Sequence, residues 1–80
     1  MQYALYYYDS CPFCQRVLMA MQSLNVNVEK RNVMKNPEFR QQQIDATKRT
    51  TVPCLLIKDG DHEEWMFESG DIVRYLKSVA

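Results

Sequence analysis

The sequence predicts an α/β domain in which a four-stranded mixed sheet carries helices on both faces. Three observations support this prediction. A strand-like run leads directly into an amphipathic helix, two later strand-like runs are joined by a tight turn, and the chain ends in a second amphipathic helix. The predicted order is β-α-β-α-β-β-α. Because a strand–helix–strand crossover joins parallel strands, the first two strands should be parallel and the late hairpin antiparallel.

Composition indicates an ordinary globular domain. The 80 residues should form one domain, 1–80, with a single modest core. The formal net charge is zero, so nothing electrostatic favours binding to nucleic acid or to an anionic membrane. No apolar run approaches a bilayer span, and the first residues lack the basic segment of a secretory signal. We therefore expect a cytoplasmic, monomeric protein.

The first strand and helix are the most clearly marked elements. Residues 3–8 are continuously apolar and aromatic, which predicts a strand covered on both faces. Pro12 then fits the first position of a helix, because its fixed φ suits the turn and its missing N–H would have no partner there. About three helical turns are predicted from the spacing of Cys14, Val17, Leu18, Met21 and Leu24.

The run Cys11-Pro12-Phe13-Cys14 places two thiols one helical turn apart directly after a strand, a context typical of thiol–disulfide chemistry. Cys11 would be the N-cap. Its sulfur would then face the free N–H groups of the first turn and the positive end of the helix dipole, which favour the thiolate. Since the thiolate is the nucleophile, we expect Cys11 to attack. Cys14 should be less exposed and should resolve a mixed disulfide.

The cysteines leave alternatives open at this stage. Cys11 and Cys14 are also compatible with a buried structural pair or with half of a zinc site. Zinc usually takes four ligands, and only Cys54 and His62 remain to supply them, with His62 expected in a hairpin turn away from the thiols. Cys54 is either a small buried apolar residue or a third thiol near Cys11. An odd cysteine count argues against a secreted disulfide framework and favours a reducing compartment.

Local signals mark the middle of the chain. A second strand is indicated by nearby valines, Val26, Val28 and Val33. Asn36-Pro37-Glu38 is a helix-start signal with a capping Asn and Pro at the first position. The helix that it begins is only weakly amphipathic and should run to Ile44 or Ala46.

The last third predicts a hairpin followed by a helix. Pro53 opens a buried-strand pattern over 54–57, residues 58–61 form a turn, and 64–67 form the return strand. Ser69-Gly70-Asp71 is a second helix-start signal. The helix should lay one face on the sheet, because apolar residues recur at Ile72, Tyr75, Leu76 and Val79.

Charge is unevenly distributed along the chain. Cations cluster in the middle, at Lys30, Arg31, Lys35, Arg40, Lys48 and Arg49, and acids follow at Asp59, Asp61, Glu63, Glu64, Glu68 and Asp71. Two interpretations are open. The two groups are solvated faces, or the cations form a patch beside the thiols that attracts a small anionic thiol.

The chain resembles the glutaredoxins of the thioredoxin-like superfamily over essentially its whole length. Three motifs carry the resemblance in order: Cys11-Pro12-Phe13-Cys14, near the family's usual Cys-Pro-Tyr-Cys, then Arg49-Thr50-Thr51-Val52-Pro53, then Glu68-Ser69-Gly70-Asp71. The resemblance implies a thioredoxin-like fold, a cis peptide bond before Pro53 and a glutathione-dependent thiol–disulfide oxidoreductase. It implies no bound cofactor. Glutathione is the co-substrate, and the other partners are disulfide-bonded or glutathionylated proteins.

The resemblance also implies where glutathione binds. In the family, the backbone of the residue before the proline pairs with the cysteine of glutathione, a role that falls on Val52. The γ-glutamyl end is held at the start of the last helix. The glycine carboxylate meets a basic residue, for which Arg40 is the best positional match and Lys48 and Arg49 are alternatives. The implied contacts are Tyr8, Pro12, Phe13, Arg40, Thr51, Val52, Pro53, Glu68, Ser69, Gly70 and Asp71.

Departures from the family pattern keep two other functions open. Tyr8 stands where Lys or Arg is usual, and Phe67-Glu68 replaces a frequent Gly-Gly. Glu68-Ser69 instead resembles the Glu-Ser pair of glutathione transferase N-terminal domains, which suggests a glutathione-binding module with little turnover. The other alternative is an iron–sulfur cluster carrier, because some glutaredoxins bridge a [2Fe–2S] cluster with the first cysteine and glutathione. Pro12 stiffens the motif and argues against that role.

Overall fold

The computed structural model describes all 80 residues as one mixed sheet with three helices. The elements are β1 (Gln2–Tyr7), α1 (Pro12–Gln22), β2 (Val28–Asn32), α2 (Pro37–Thr47), β3 (Cys54–Asp59), β4 (His62–Met66) and α3 (Ser69–Val79). The strand order is β2-β1-β3-β4, with β1 parallel to β2 and antiparallel to β3, and β3 antiparallel to β4. The predicted element order and mixed sheet are confirmed. None of the helices is long and apolar enough to cross a membrane.

Each face of the sheet carries its own core, because successive side chains of a strand point to opposite faces. On one face, strand residues pack with α1 and α3, in a cluster made of Leu5, Val17, Leu55, Ile57, Ile72 and Leu76. On the other face, Phe39 of α2 packs against a second cluster, made of Ala4, Tyr6, Val33, Cys54 and Leu56. Helices therefore cover both faces, as the sequence predicts.

The buried face of the last helix, α3, is shorter than the sequence predicts. Ser69, Ile72 and Leu76 are the buried residues of α3. Val79 is 40% exposed, so its predicted place in the apolar face is wrong. It occupies the final turn of the helix, where fewer elements surround a side chain, and burial stops one turn earlier at Leu76.

The second helix forms where Pro37 predicts it, with a difference at its cap. Asn36 occupies the N-cap, but its side chain makes no capping hydrogen bond, so the predicted capping role is wrong. The N–H of Phe39, the third helical residue, donates instead to the backbone carbonyl of Asn36 at 3.0 Å. The helix ends at Lys48, a non-glycine residue in the left-handed region (φ 61°), whose N–H donates to the Ile44 carbonyl at 2.8 Å.

Pairing with neighbouring strands moves two strand boundaries. Val26 and Val33 lie outside β2, whose register with β1 runs from Val28 to Asn32. The N–H of Val33 still donates to the Tyr7 carbonyl, at 2.8 Å. The last strand begins at His62 rather than Glu64 and stops before Phe67, because it pairs with β3 directly from the turn, from His62 opposite Asp59 to Met66 opposite Leu55.

Gly60 has a conformation that L-residues rarely adopt. The turn between β3 and β4 is the pair Gly60-Asp61, and Gly60 has φ +61°, as expected for a two-residue hairpin turn with glycine first. A Cβ at this position would meet nothing within 4 Å, so the cost of Gly60→Ala is conformational. We expect a loss of about 1 kcal/mol in the free energy of unfolding, measured by urea denaturation.

Gly70→Ala is the matched control for that measurement. Gly70 lies in α3, and a Cβ there also meets nothing within 4 Å. Alanine favours the helix over glycine, so this change should be neutral or stabilising. Equal losses in the two variants would show that the positive φ of Gly60 carries no cost.

Candidate active site

Cys11 lies at the N-terminus of α1. It is the N-cap residue with extended backbone, and its Sγ accepts a hydrogen bond from the N–H of Cys14 at 3.3 Å. Pro12 takes the first helical position, and the N–H of Gln15 donates to the Cys11 carbonyl at 3.0 Å. An N–H donor and the positive helix end both stabilise negative charge on the sulfur. This geometry suits a nucleophilic thiolate at Cys11.

The loop before β3 brings a second predicted motif to the same place. The thiol of Cys11 donates to the carbonyl of Val52, with 3.9 Å between Sγ and O, although the residues are 41 positions apart. The Val52–Pro53 peptide bond is cis, as the resemblance implies. Pro53 is buried, Val52 half-buried and Thr51 exposed. The backbone next to the cis-proline is therefore within reach of any group bonded to the Cys11 sulfur.

Cys14 is the more deeply buried member of the pair. Its side chain is wholly buried, whereas Cys11 is 4% exposed, which is the order that the sequence predicts. Burial, together with a hydrogen bond to Cys11, raises the pKa of Cys14 to about 12. Cys14 therefore stays protonated at neutral pH, and all three cysteines are free thiols in the structure.

Cys54 packs as a small buried residue. It follows Pro53, is wholly buried, and belongs to the core on the α2 side of the sheet. Burial raises its pKa to about 12, against the opposing effect of the positive charge on Arg49. The structure shows the burial that the first interpretation expects, and Cys54 makes no hydrogen bond to Cys11.

The start of α3 offers donors for an acidic group. Glu68 is the N-cap residue but makes no side-chain capping bond, and the first N–H groups of a helix have no partner within it. Ser69 is buried and Gly70 is exposed. Asp71 forms an ion pair with Arg74 one turn later, so its carboxylate already has a cationic partner.

The cations in the middle of the chain do not form one patch. Arg40 is exposed on α2 and makes no hydrogen bond or ion pair. The guanidinium of Arg49 stacks over the ring of Phe67, 3.9 Å from its centroid, just before α3. Arg31 instead pairs with Glu29 and lies over the ring of Tyr6, which is a structural arrangement. Only some of these charges are therefore free to meet a ligand.

A polar network beside the thiols is not visible in any sequence motif. Asn32 is largely buried, its Nδ2 donates to the Asp9 carboxylate at 3.3 Å, and its Oδ1 accepts from the N–H of Lys35 at 3.1 Å. The ammonium of Lys35 lies 3.8 Å from the same carboxylate. The network thus holds Lys35 against Asp9, the residue that follows Tyr8. The carbonyl of Tyr8 accepts from the N–H of Cys11 at 3.3 Å.

The structure also gives the positions of Phe13 and His62, two further residues considered in the sequence analysis. Phe13 is 58% exposed and lies in the first turn of α1, two residues after Cys11. His62 is exposed in β4, with its Nε2 4.0 Å from Glu64. No group of three or more His, Cys, Asp or Glu side chains is placed to hold a metal ion, so the geometry offers no ligand set for the zinc interpretation.

The difference between the thiols predicts selective alkylation. Cys14 and Cys54 have pKa values of about 12 and react slowly as neutral thiols, so iodoacetamide at about pH 7.5 should add one group to the native protein, at Cys11. Intact-mass measurement and peptide mapping check this result. In denaturant all three cysteines should react. Native labelling of Cys14 or Cys54 as fast as Cys11 would contradict the burial described above.

The fold and the site together define a class of protein. A Cys-x-x-Cys pair at the N-terminus of the first helix, facing a cis-proline at the start of an adjacent strand, is the arrangement of a thioredoxin-fold dithiol protein. The family model described as Glutaredoxin matches residues 4–63, three quarters of the chain. The chain therefore belongs to the glutaredoxin family.

Solved structures with the same fold include several glutathione transferases. The trimeric glutathione transferase TDR1 of Leishmania is 32% identical with a TM-score of 0.78, over 98% of this chain and 18% of that one. A transferase homologue from Drosophila mojavensis, solved with bound glutathione, is 25% identical with a TM-score of 0.71, over 98% and 35%. The housefly epsilon-class transferase, at 24% identity, TM-score 0.72 and coverage of 98% and 35%, shows the fold alone.

The chain thus spans between 18% and 35% of the length of these transferases. No curated protein sequence matches it. Membership of the glutaredoxin family and the transferase neighbours support a glutathione-related function for this thioredoxin-fold domain.

Proposed function

We propose that the protein is a glutathione-dependent thiol–disulfide oxidoreductase that acts through Cys11 and Cys14. The observation that supports it most directly is the position of the Cys11 sulfur. It lies 3.3 Å from the N–H of Cys14 and 3.9 Å from the carbonyl of Val52. The sulfur thus accepts an N–H at a helix N-terminus and lies beside the Thr51–Val52 backbone, which could pair with a peptide-like substrate.

With a glutathione mixed disulfide, Cys11 alone completes the reaction. Its thiolate attacks the glutathione sulfur, the S–S bond breaks, and the substrate leaves as a thiolate that takes a proton from water. A second glutathione thiolate then attacks the glutathionyl sulfur on Cys11. Glutathione disulfide leaves and the Cys11 thiolate is restored. The net reaction consumes one free glutathione and releases the substrate thiol and glutathione disulfide, whose other half comes from the substrate.

With a protein disulfide, Cys14 resolves the intermediate. Cys11 forms a mixed disulfide with one substrate sulfur, and the other substrate sulfur leaves as a thiolate. Cys14 then passes its proton to that thiolate and attacks the Cys11 sulfur. The internal disulfide forms and the remaining substrate sulfur leaves as a thiolate that takes a proton from water. Because burial keeps Cys14 protonated at neutral pH, it does not compete with Cys11 for the first attack. Two glutathione molecules then reduce the internal disulfide. Glutaredoxin potentials of about −200 to −230 mV allow the reaction to run in either direction with the glutathione pool.

Glutathione would lie across the ends of three segments. Its cysteine backbone pairs with Val52, and its γ-glutamyl carboxylate meets the N–H groups at the start of α3, at Ser69 and Gly70. The glycine carboxylate would extend towards Arg40 on α2, which has no competing partner. The related Drosophila mojavensis structure was solved with bound glutathione, which supports glutathione as the ligand. We propose disulfide-bonded or glutathionylated proteins of a reducing cytoplasm as the natural substrates.

The test is a coupled assay. Glutathione, glutathione reductase and NADPH are supplied with the mixed disulfide of glutathione and mercaptoethanol, and NADPH oxidation is followed. Catalysed turnover that saturates with the mixed disulfide is the expected result. Absence of turnover, in a protein whose Cys11–Cys14 disulfide nevertheless forms on oxidation, would refute the proposal.

A glutathione-binding module with little turnover is the second candidate. It is favoured by the transferase structures and by the placement of Glu68-Ser69 at the start of α3. Calorimetric titration with glutathione distinguishes the two functions. The module should bind glutathione without accelerating the coupled reaction, whereas the oxidoreductase does both.

A further inference from the structure

Gln43 is a polar residue in an unexpected place. It is wholly buried and is the only buried residue of α2, and its neighbours Gln41 and Gln42 are exposed. Its Nε2 donates to the carbonyl of Thr51 at 2.8 Å, while its Oε1 has no hydrogen-bond partner. Burial of an amide with an unpaired oxygen is costly. An apolar side chain of similar volume would fill this position without that cost, so stability alone does not account for Gln43.

The loop that Gln43 contacts has few other attachments. Outside helices and strands, no backbone–backbone hydrogen bond involves residues 49–53. Side chains of α2 hold the loop instead. The amide of Gln43 donates to the Thr51 carbonyl, and the hydroxyl of Thr47 accepts from the N–H of Arg49 at 3.1 Å. The same hydroxyl donates to the Gln43 carbonyl at 2.8 Å.

The Thr51 carbonyl belongs to the peptide unit that includes the Val52 N–H. Fixing that carbonyl therefore fixes the direction of this N–H, and Val52 in turn presents its own carbonyl to the Cys11 sulfur. We propose that Gln43 is a positioning residue that aims the Val52 backbone at the cysteine of glutathione. This inference rests on the proposed function, and it assigns recognition of the glutathione backbone to a residue buried beneath the site.

The experiment measures how fast Cys11 forms a mixed disulfide, in a Cys14→Ser background that prevents resolution. Glutathione disulfide carries the peptide backbone that Val52 would recognise, and hydroxyethyl disulfide lacks it. Mass spectrometry gives the second-order rate constant for each. The quantity compared is the rate constant for glutathione disulfide divided by that for hydroxyethyl disulfide. In Gln43→Met this ratio should fall about tenfold, which is the equivalent of one lost hydrogen bond. The rate with hydroxyethyl disulfide itself should not change.

Gln41→Met and Gln43→Glu complete the set. Gln41 is exposed and bonds only Asp45, at 2.8 Å, so its replacement on the same helix should leave the ratio unchanged. A buried carboxyl is expected to stay protonated and to donate to Thr51 as the amide does. Gln43→Glu should therefore keep the wild-type ratio at about pH 6 and lose it as the carboxyl ionises at higher pH.

This experiment can fail independently of the coupled assay. It measures only the formation of the mixed disulfide on Cys11, which occurs whether or not the protein completes a catalytic cycle. An unchanged ratio in a folded Gln43→Met protein overturns the inference, and so does equal slowing with both disulfides, which indicates only a structural role. Lack of any wild-type preference for glutathione disulfide overturns it as well. Failure of turnover with the ratio behaving as expected would refute the proposed function and leave the role of Gln43 standing.

Discussion

We expect Cys11→Ser to lower the glutathione-coupled reduction of a mixed disulfide by at least about 10³-fold, because the attacking sulfur is lost and a serine hydroxyl cannot replace it. Cys14→Ser should retain this activity to within about tenfold, since glutathione itself resolves the intermediate on Cys11. The same variant should lose the reduction of protein disulfides, which needs the second thiol. Steady-state rates with both substrate types check the prediction.

Cys54→Ala is the control for these variants. Cys54 is the third thiol, it is wholly buried in the core on the α2 side, and the mechanism does not use it. Its replacement should leave turnover intact while lowering stability by the small amount that a lost buried sulfur costs. Loss of activity in Cys54→Ala comparable to that in Cys11→Ser would contradict the assignment of the nucleophile.

The chain's dithiol motif was predictable because its cause is local. Pro12 can only begin a helix here, and the apolar run before it can only be a strand, so Cys11 falls at the N-cap without knowledge of the rest of the fold. The hairpin was predictable for the same reason, since Gly60 supplies the backbone conformation that the turn needs. The parallel pairing of β1 and β2 then followed from the crossover rule, whereas the position of β3 beside β1 was not predicted.

Contacts between distant segments were not predictable. Asp9 meets Asn32 and Lys35 only because β1 and β2 are parallel and end at the same edge of the sheet. Gln43 occurs in a run of three glutamines, and nothing in that run indicates which one turns inward to Thr51. Local propensity likewise assigned a capping bond to Asn36 that the surrounding structure does not make.

Leu76→Ala should have the largest effect on stability among substitutions in α3. Leu76 is wholly buried in the cluster that joins α1, α3 and the sheet. Truncation of a buried leucine removes apolar contacts and leaves a cavity, so the free energy of unfolding should fall by about 3 kcal/mol. Domains of this kind are stable by only about 5–15 kcal/mol, so this is a substantial part of the total. Urea denaturation, followed by the fluorescence of Trp65, gives the value.

Val79→Ala is the matched control on the same helix, because Val79 is the next apolar residue in the predicted spacing after Leu76. Because Val79 is 40% exposed, its truncation should cost less than about 1 kcal/mol. Equal losses in the two variants would indicate that Val79 is buried, as the sequence predicts.

The same two variants also concern the site, because α1 carries Cys11 at its N-terminus and α3 carries Ser69 at its own. The buried contacts between these helices set the distance between the sulfur and the proposed γ-glutamyl donors, so Leu76→Ala should also weaken glutathione binding while Val79→Ala should not.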